Sequence, residues 1–472
     1  MINRPSPWAA YMGVRAYDPA ALSPGESGVW DTLAARLFRY GHYEHYYHNT
    51  IYSALEKSAA LHRSREKLYK HIRAIYNPVA RQNDLLVSLI YAGALDLETL
   101  TGGAIPLWFD NPAAARALRR VLMDSRFASL KSLYVRFGAL YGDVGLKIVD
   151  ELERGRVWIE VIHPALVREI AIDSGGEVEA VTLEYSRADA DGQPYTYTEI
   201  IDRERFRTFK NGAPHAFHAD LDGRRVAAWA NPYGFVPFVL AGHKPVGGVW
   251  SMNAFGHALR KIDEINDLAS LLNDQVRKSV NTMWYFAGVR GAGELVAAVD
   301  DKDALPAIYA PPDSQPHALI ADAPLADALN ALRELLAEVE RDMPELALQR
   351  IRENRGELSA PGVRAAFSDA IGRVSDMRAG YDGALARALR MAVAVGGWRG
   401  YAGFESFSLL SEERGDLALM IRDRPVIDES LSVSERLRAL ASLAGQPEDV
   451  RRLMLRELGV NGEPELGLHS RS

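Results

Sequence analysis

The chain has 472 residues, 48% of them hydrophobic and 25% charged. At roughly 100–200 residues per domain that length calls for two to four cores, and the composition is that of an ordinary folded protein, excluding disordered, collagenous and membrane classes. It has no cysteine, which removes disulfides, thiolate metal sites and thiol nucleophiles, and its net charge of −7 is the wrong sign for wrapping nucleic acid over the whole surface.

The first 19 residues carry Pro5, Pro7 and polar side chains where a secretory signal would run apolar, so no export signal is expected. Leu85 to Leu95 is the longest apolar stretch. It holds Ser88 and Gly93 between Asp84 and Asp96, short of the roughly 20 residues a span needs, and no membrane partner is expected. Residues 26 to 98 read as helix on the spacing of Trp30, Leu33, Leu37, Leu55, Leu61, Leu68, Ile72 and Ile75, with a break at Asn77–Pro78. Ala113 to Leu122 and Ser129 to Tyr141 read as two further helices.

From Val144 the pattern changes to short β-branched and aromatic runs parted by Gly, Asp and Asn. The runs 144–149, 157–162, 167–172, 178–185 and 195–201 predict one antiparallel meander, continued as a hairpin through Phe206–Phe209, Asn211–Gly212 and Val226–Trp229. Asn231-Pro-Tyr-Gly234 closes it before a strand at Val236 to Leu240. A helix from Met252 to Val280 follows, striped by Phe255, Leu259, Ile262, Ile265, Ala269, Leu272, Val276 and Val280. At 1.5 Å per residue it would run about 40 Å. Residues 281–324 read as a small β-rich insertion, and Leu325 to Arg341 as a second striped helix (Leu329, Leu332, Leu336, Val339). The two helices and the insertion make a stalk with a knob. A polar segment from Arg350 to Gly362, a third long helix to about Val395, a strand at Leu417–Ile421 and helices at 432–444 and 447–458 complete an α+β, mainly helical chain.

Few motifs carry chemistry. His42, Glu44, His45 and His48 are all competent zinc ligands, but on a helix residues six apart lie about 120° apart, so His48 does not easily join His42 and His45. The cluster reads as a helical surface or subunit contact; a metal-dependent hydrolase built on it is the alternative. There is no H-E-x-x-H, G-x-S-x-G or Walker motif, and Gly288, Gly291 and Gly293 do not form G-x-G-x-x-G. Asp263–Glu264 and Asp300–Asp301 are paired carboxylates, the first pair on a helix with as many bases as acids, a pattern that reads as a solvated or inter-subunit face. Arg350, Arg352 and Arg355 form the best local basic feature and could engage phosphates; the alternative is an exposed loop without a ligand.

The order of these parts resembles the portal proteins of tailed bacteriophages. Local sequences carry the same resemblance: Ile75-Tyr-Asn-Pro78-Val-Ala-Arg-Gln-Asn-Asp84, Phe137-Gly-Ala-Leu-Tyr-Gly142-Asp-Val-Gly-Leu-Lys-Ile148, Val161-Ile-His-Pro164, Asn231-Pro-Tyr-Gly-Phe-Val-Pro237 and Lys261-Ile-Asp-Glu-Ile-Asn266. Together they are similar to a portal of the siphophage type over roughly residues 40–450. Glu357-Leu-Ser359-Ala-Pro-Gly362 resembles the family's entry into the tunnel helix, except that Ala360–Pro361 separates a serine and glycine that the family often keeps adjacent.

The resemblance implies a non-enzymatic ring of about twelve subunits at one capsid vertex, a channel for packaging, retaining and ejecting double-stranded DNA without reading its sequence. It implies a wing (1–250), stem helices (251–280 and 325–342), a clip (281–324), a tunnel loop (343–361) and a tunnel helix with crown (362–472). Arg350, Arg352, Arg355 and Ser359 would be the DNA contacts of the tunnel loop, and Trp284, Tyr285 and Tyr309 the partner-binding residues of the clip. Implied partners are terminase, the capsid or scaffold protein and a head-completion adaptor, in the virion and, during assembly, the host cytoplasm. No cofactor and no metal are expected. A shorter head–tail adaptor is the remaining ring-forming alternative.

Overall fold

The structure is a computed structural model that describes residues 32–52, 75–189, 191–219, 224–280, 283–287, 296–298, 307–309, 315–319, 325–347, 367–404, 407 and 417–426, with backbone only between 274 and 325. The expected helices at 432–444 and 447–458, Gly288–Gly293 and Asp300–Asp301 lie outside these residues. The α+β class holds. No described helix is long and apolar enough to cross a membrane.

The first helix, α1, spans Leu33–Tyr47 and starts at Thr32, whose hydroxyl accepts from Ala35 N. It ends far earlier than the apolar spacing predicts. Asn49 takes a left-handed conformation (φ 57°), which ends α1; helix resumes at Ile51–Tyr52, residues 53–74 lie outside the described residues, and α2 begins at Val79. Asn77 prepares that start: its Oδ1 accepts from Val79 N while its Nδ2 donates to Tyr46 O at 2.6 Å. A short strand β1 (Leu107–Phe109), α3 (Ala114–Asp124) and α4 (Phe127–Tyr141) follow.

The β region divides where a single meander is expected. β2 (Asp143–Glu151) and β3 (Arg156–Ile162) join β12 (Phe238–Gly242) in a three-stranded antiparallel sheet. β4 (Val167–Ile172), β5 (Val178–Ala188), β6 (Pro194–Asp202), β7 (Arg205–Lys210), the short β8 (Ala213–Pro214) and β11 (Ala228–Ala230) form a separate six-stranded sheet, beside a small pair, β9 (His218–Ala219) and β10 (Arg225–Val226). The break lies at His163–Pro164. The His163 ring accepts from Ala165 N at 3.1 Å to start a 3₁₀ turn, and the buried guanidinium of Arg36 takes the carbonyls of Pro164, Val167 and Arg168 at 3.3, 2.9 and 3.2 Å. Carbonyls held by an arginine are no longer free to extend the β3 ladder, so the chain leaves one sheet and starts another.

The helix α7 (Ser368–Arg399) packs with α3 and α4 on one face of the three-stranded sheet. Approach is close enough to require glycine: a Cβ on Gly138 would lie 2.1 Å from the hydroxyl of Tyr381. The other face turns Lys147 of β2 to an ion pair with Glu199 of β6, linking the two sheets. At the far end β17 (Leu419–Ile421) returns to pair with β1. Arg424, just beyond it, grips Asp382 of α7 with both terminal nitrogens (2.8 and 3.2 Å) and donates to Ile90 O.

The stalk rises from this body. α5 spans Leu259–Val280 and α6 Leu325–Asp342, packed side by side. α5 starts later than Met252 because Asn253 is held by α4. Its Nδ2 donates to Leu140 O and its Oδ1 accepts from Gly256 N, so the chain makes a 3₁₀ turn at 256–258 first. Between the helices β13 (Met283–Ala287) pairs with β16 (Gln315–Leu319), and β14 (Val296–Ala298) with β15 (Ala307–Tyr309).

The Asp263 carboxylate does not belong to a solvated face. It accepts from the hydroxyls of Tyr46 and Tyr52 at 2.6 and 2.7 Å, while Glu264 is exposed. One turn on, the buried Asn266 accepts from Ile75 N and Tyr76 N (2.7 and 2.8 Å) and donates to Tyr76 O at 2.8 Å, fastening the base of α5 to the chain ahead of α2.

Asp143, at the start of β2, is almost fully buried and receives Ser251 N on both carboxylate oxygens at 3.0 and 3.2 Å. Burial pushes its carboxyl from 3.8 up to about 7, against the lowering effect of the Ser251 bonds and Arg36. A folded-state value above the unfolded one means that, between pH 3.8 and about 7, the unfolded chain gives up this proton and the folded chain keeps it. Asp143 therefore subtracts stability as the pH rises through that window, by about 1.4 kcal/mol per pH unit at most. The variant Asp143→Asn lacks this loss. Its stability advantage over the native chain, measured by urea denaturation, is expected to grow from pH 4 to pH 7 and then level; a difference independent of pH would refute the assignment.

Candidate functional site

Of the residues expected to carry function, Arg350, Arg352, Arg355 and Ser359 lie outside the described residues. Trp284 and Tyr285 fall on β13, in register with Ala318 and His317 of β16, and Tyr309 falls on β15 opposite Val296. They are thus on two different strand pairs of the insertion.

The three histidines of α1 have separate surroundings. His42 stacks 6.4 Å from Phe38 and meets Tyr46 edge-on at 5.0 Å, and burial together with the neighbouring His45 lowers it to about 4. His45 Nδ1 lies 2.9 Å from the Thr50 hydroxyl, and the His48 ring packs against Tyr47. Glu44 accepts from the Tyr141 hydroxyl at 2.8 Å. Among the described residues no three His, Asp or Glu side chains converge as a metal would need.

What the structure does bring together is a polar junction between the end of α6 and the first turns of α7. On the α6 side, Val339 and Met343 are fully buried as the helix runs into the body, and a 3₁₀ turn at Pro344–Ala347 follows. Proline suits that first position, where no N–H is needed. Glu345 in this turn is 0% exposed. On the other side α7 supplies Arg373, whose Nε lies 3.3 Å from one Glu345 oxygen, while Gln82 of α2 donates to the other at 3.4 Å. The same guanidinium reaches back through Nη1 to the carbonyl of Asp342 at 3.2 Å. His257 Nε2, 3.0 Å from that carbonyl, can reach it only as a donor, and the Asp342 carboxylate pairs with Lys261 of α5 at 2.8 Å.

Four helices, α2, α5, α6 and α7, are therefore locked at one point by ion pairs and hydrogen bonds. The junction can hold α6 and α7 at a fixed angle to each other. It contains no nucleophile next to a base and no convergent donor set for an oxyanion, so its chemistry is positioning. Sequence reasoning missed it. Met343-Pro344-Glu345-Leu346 reads as a helix end, and only the isolated acid in an apolar run hints that Glu345 is buried and paired.

No family model matches the chain, and no curated protein matches it in sequence. Among solved structures it is similar to a chain of the neck of a native gene transfer agent particle computed with C12 symmetry, at 13% identity and a TM-score of 0.37, over 80% of this chain and 89% of that one. It is similar at 13% identity and a TM-score of 0.32 to a chain of the virion of a native gene transfer agent particle, over 81% of this chain and 89% of that one.

The junction makes a specific energetic claim. Glu345 is inaccessible and Arg373 is 27% exposed, so losing the arginine strands a buried carboxylate, whereas losing the acid leaves a cation that water can partly reach. Arg373→Met is expected to cost about 3 kcal/mol in urea denaturation, Glu345→Gln about half of that, and the double variant less than their sum. Additive losses would show that the pair does not hold the junction.

Proposed function

We propose that this chain is the subunit of a portal ring: a channel at a capsid vertex through which double-stranded DNA enters, is retained and leaves. The observation that carries the reading is the stalk. α5 and α6 bury their apolar stripe only at the body end, where Ile262, Ile265 and Val339 are fully covered. Farther out Leu271, Leu272, Leu332 and Leu336 are half-covered and Leu329 is exposed. A protruding helical pair with an uncovered stripe does not complete a core by itself; copies arranged side by side around an axis cover it. On this reading the insertion 281–324 is the clip, with Trp284, Tyr285 and Tyr309 for terminase and then the adaptor protein, residues 1–250 are the wing, 362–472 are the tunnel helix and crown, and capsid or scaffold protein is a further partner.

The polar segment 343–361 is the tunnel loop, starting at the Glu345–Arg373 junction, and Arg350, Arg352, Arg355 and Ser359 touch the phosphate backbone. Such contacts carry no base information and weaken with salt. Sparse arginines on a chain of net charge −7 suit a duplex that has to slide in both directions, because each neutralised phosphate adds affinity that would slow it. The role needs no catalytic group.

The test is the combined replacement of Arg350, Arg352 and Arg355 by alanine. Ring yield in electron micrographs is expected to stay normal, while nuclease-protected DNA in assembled particles falls severalfold, more so at high salt. Undiminished protected DNA would remove these arginines from the mechanism; a chain that never forms rings, alone or with capsid protein, would remove the portal reading.

A further inference from the structure

The loop 244–252, which connects β12 to the stalk, is built at odds with its position. Residues 244–249 are all exposed, and the apolar side chains Val246, Val249 and Met252 are 55%, 41% and 38% accessible within seven residues. Its base is nevertheless fixed from three directions. The Trp250 ring lies over the Arg36 guanidinium at 3.6 Å. Ser251 N donates to the buried Asp143 carboxylate, and Met252 N donates to Lys244 O at 2.9 Å. Ser251 also fills the space of two missing Cβ atoms: a Cβ on Gly242 would fall 2.0 Å from its hydroxyl, and one on Gly142 2.3 Å from its carbonyl.

Two buried charged groups, each costly to remove from water, thus hold a loop whose tip presents valine to solvent. A loop needed only as a connection gains nothing from that rigidity. A preorganised apolar projection does gain, because ordering it in advance lowers the cost of binding.

We propose that the Val246–Val249 tip is a subunit contact that seats on the α6 stripe of exposed Leu329 and half-covered Leu332 and Leu336 of a neighbouring copy of this chain. The inference rests on the ring reading and names one of its contacts. Two features select a second copy as the occupant. The chain itself carries both a projecting apolar tip and a separate uncovered apolar stripe, which is the arrangement of a heterologous, ring-closing contact. The charges also match: exposed Lys244 makes no ion pair among the described residues, and beside the stripe α6 carries Asp327 and Glu334 against Arg333.

The absence of cysteine gives a direct test on the full-length chain. Val249→Cys, labelled with a benzophenone maleimide, is mixed with unlabelled isotopically heavy chain, assembled and irradiated. Adducts joining light position 249 to heavy peptides from α6 are expected. In parallel, Val246→Ser with Val249→Ser is expected to raise the concentration for half-assembly about tenfold, with the thermal midpoint of the dilute, unassembled chain unchanged. Rings that form normally with adducts only to the same chain, to another element or to nothing would overturn this contact while leaving the ring intact. A native chain that stays monomeric would overturn both.

Discussion

A guanidinium without an ion-pair partner sits at the centre of this protein, and much of the architecture follows from how it is satisfied. Arg36 is 1% exposed and makes no ion pair among the described residues. Burying such a group is tolerable only if most of its N–H donors and its flat face find partners. Three backbone carbonyls accept from its two terminal nitrogens and the Trp250 ring covers its face, while Nε is left without a hydrogen-bond partner among the described residues. The Pro164 carbonyl belongs to the turn after β3 and those of Val167 and Arg168 to the start of β4, so the arginine fastens the point where one sheet gives way to the other. The tryptophan belongs to the loop ahead of the stalk, so the same side chain ties α1, the sheet junction and the approach to α5 together.

This explains which parts of the fold can be read from the sequence. Spacing of apolar residues locates α3, α4, α5 and α6, because each has one face against a core and the period is local. The strands are legible for the same reason. Their division between two sheets is not, since it depends on an arginine about 130 positions away from the carbonyls it takes. The early end of α1 and the late start of α5 fail in the same way: Asn49 and Asn253 act through a backbone angle and through a bond to α4, which the helical periodicity of Tyr, His and Leu overrides on paper.

The segments singled out by resemblance turn out to hold the fold's polar fasteners. Asn77 and Asn266 bind the chain between α1 and α2 to the base of α5. Asp143 holds Ser251, His163 starts the turn between sheets, and Asn231 donates to Asp202 O and Phe235 O at 2.8 and 2.9 Å. Each satisfies buried backbone groups that no regular ladder reaches. Such residues are visible in a sequence as small polar motifs, but their meaning comes from partners far along the chain. For the junction the reverse holds. The arginines from Arg350 to Arg355, which the proposed function uses, are conspicuous by composition, whereas Glu345 and Arg373, which join the end of α6 to α7, look like ordinary members of a helix end and a helix face.

The fasteners and the stalk divide the labour between rigidity and association. Polar hubs at the base of α5 and α6, from Asp263 and Asn266 to the Lys261–Asp342 and Arg373–Glu345 pairs, are directional and fix angles. The apolar stripe beyond them is non-directional and incomplete. If the stripe had been closed within one chain, the stalk would have no reason to meet a second copy; if the base had been apolar too, its angle to the body would be free to change with each contact. On the proposed ring reading, a fixed base beneath an unfinished apolar face lets identical copies meet at one repeated angle, and that contact closes a ring when the rotation it sets divides a full turn and grows a filament when it does not.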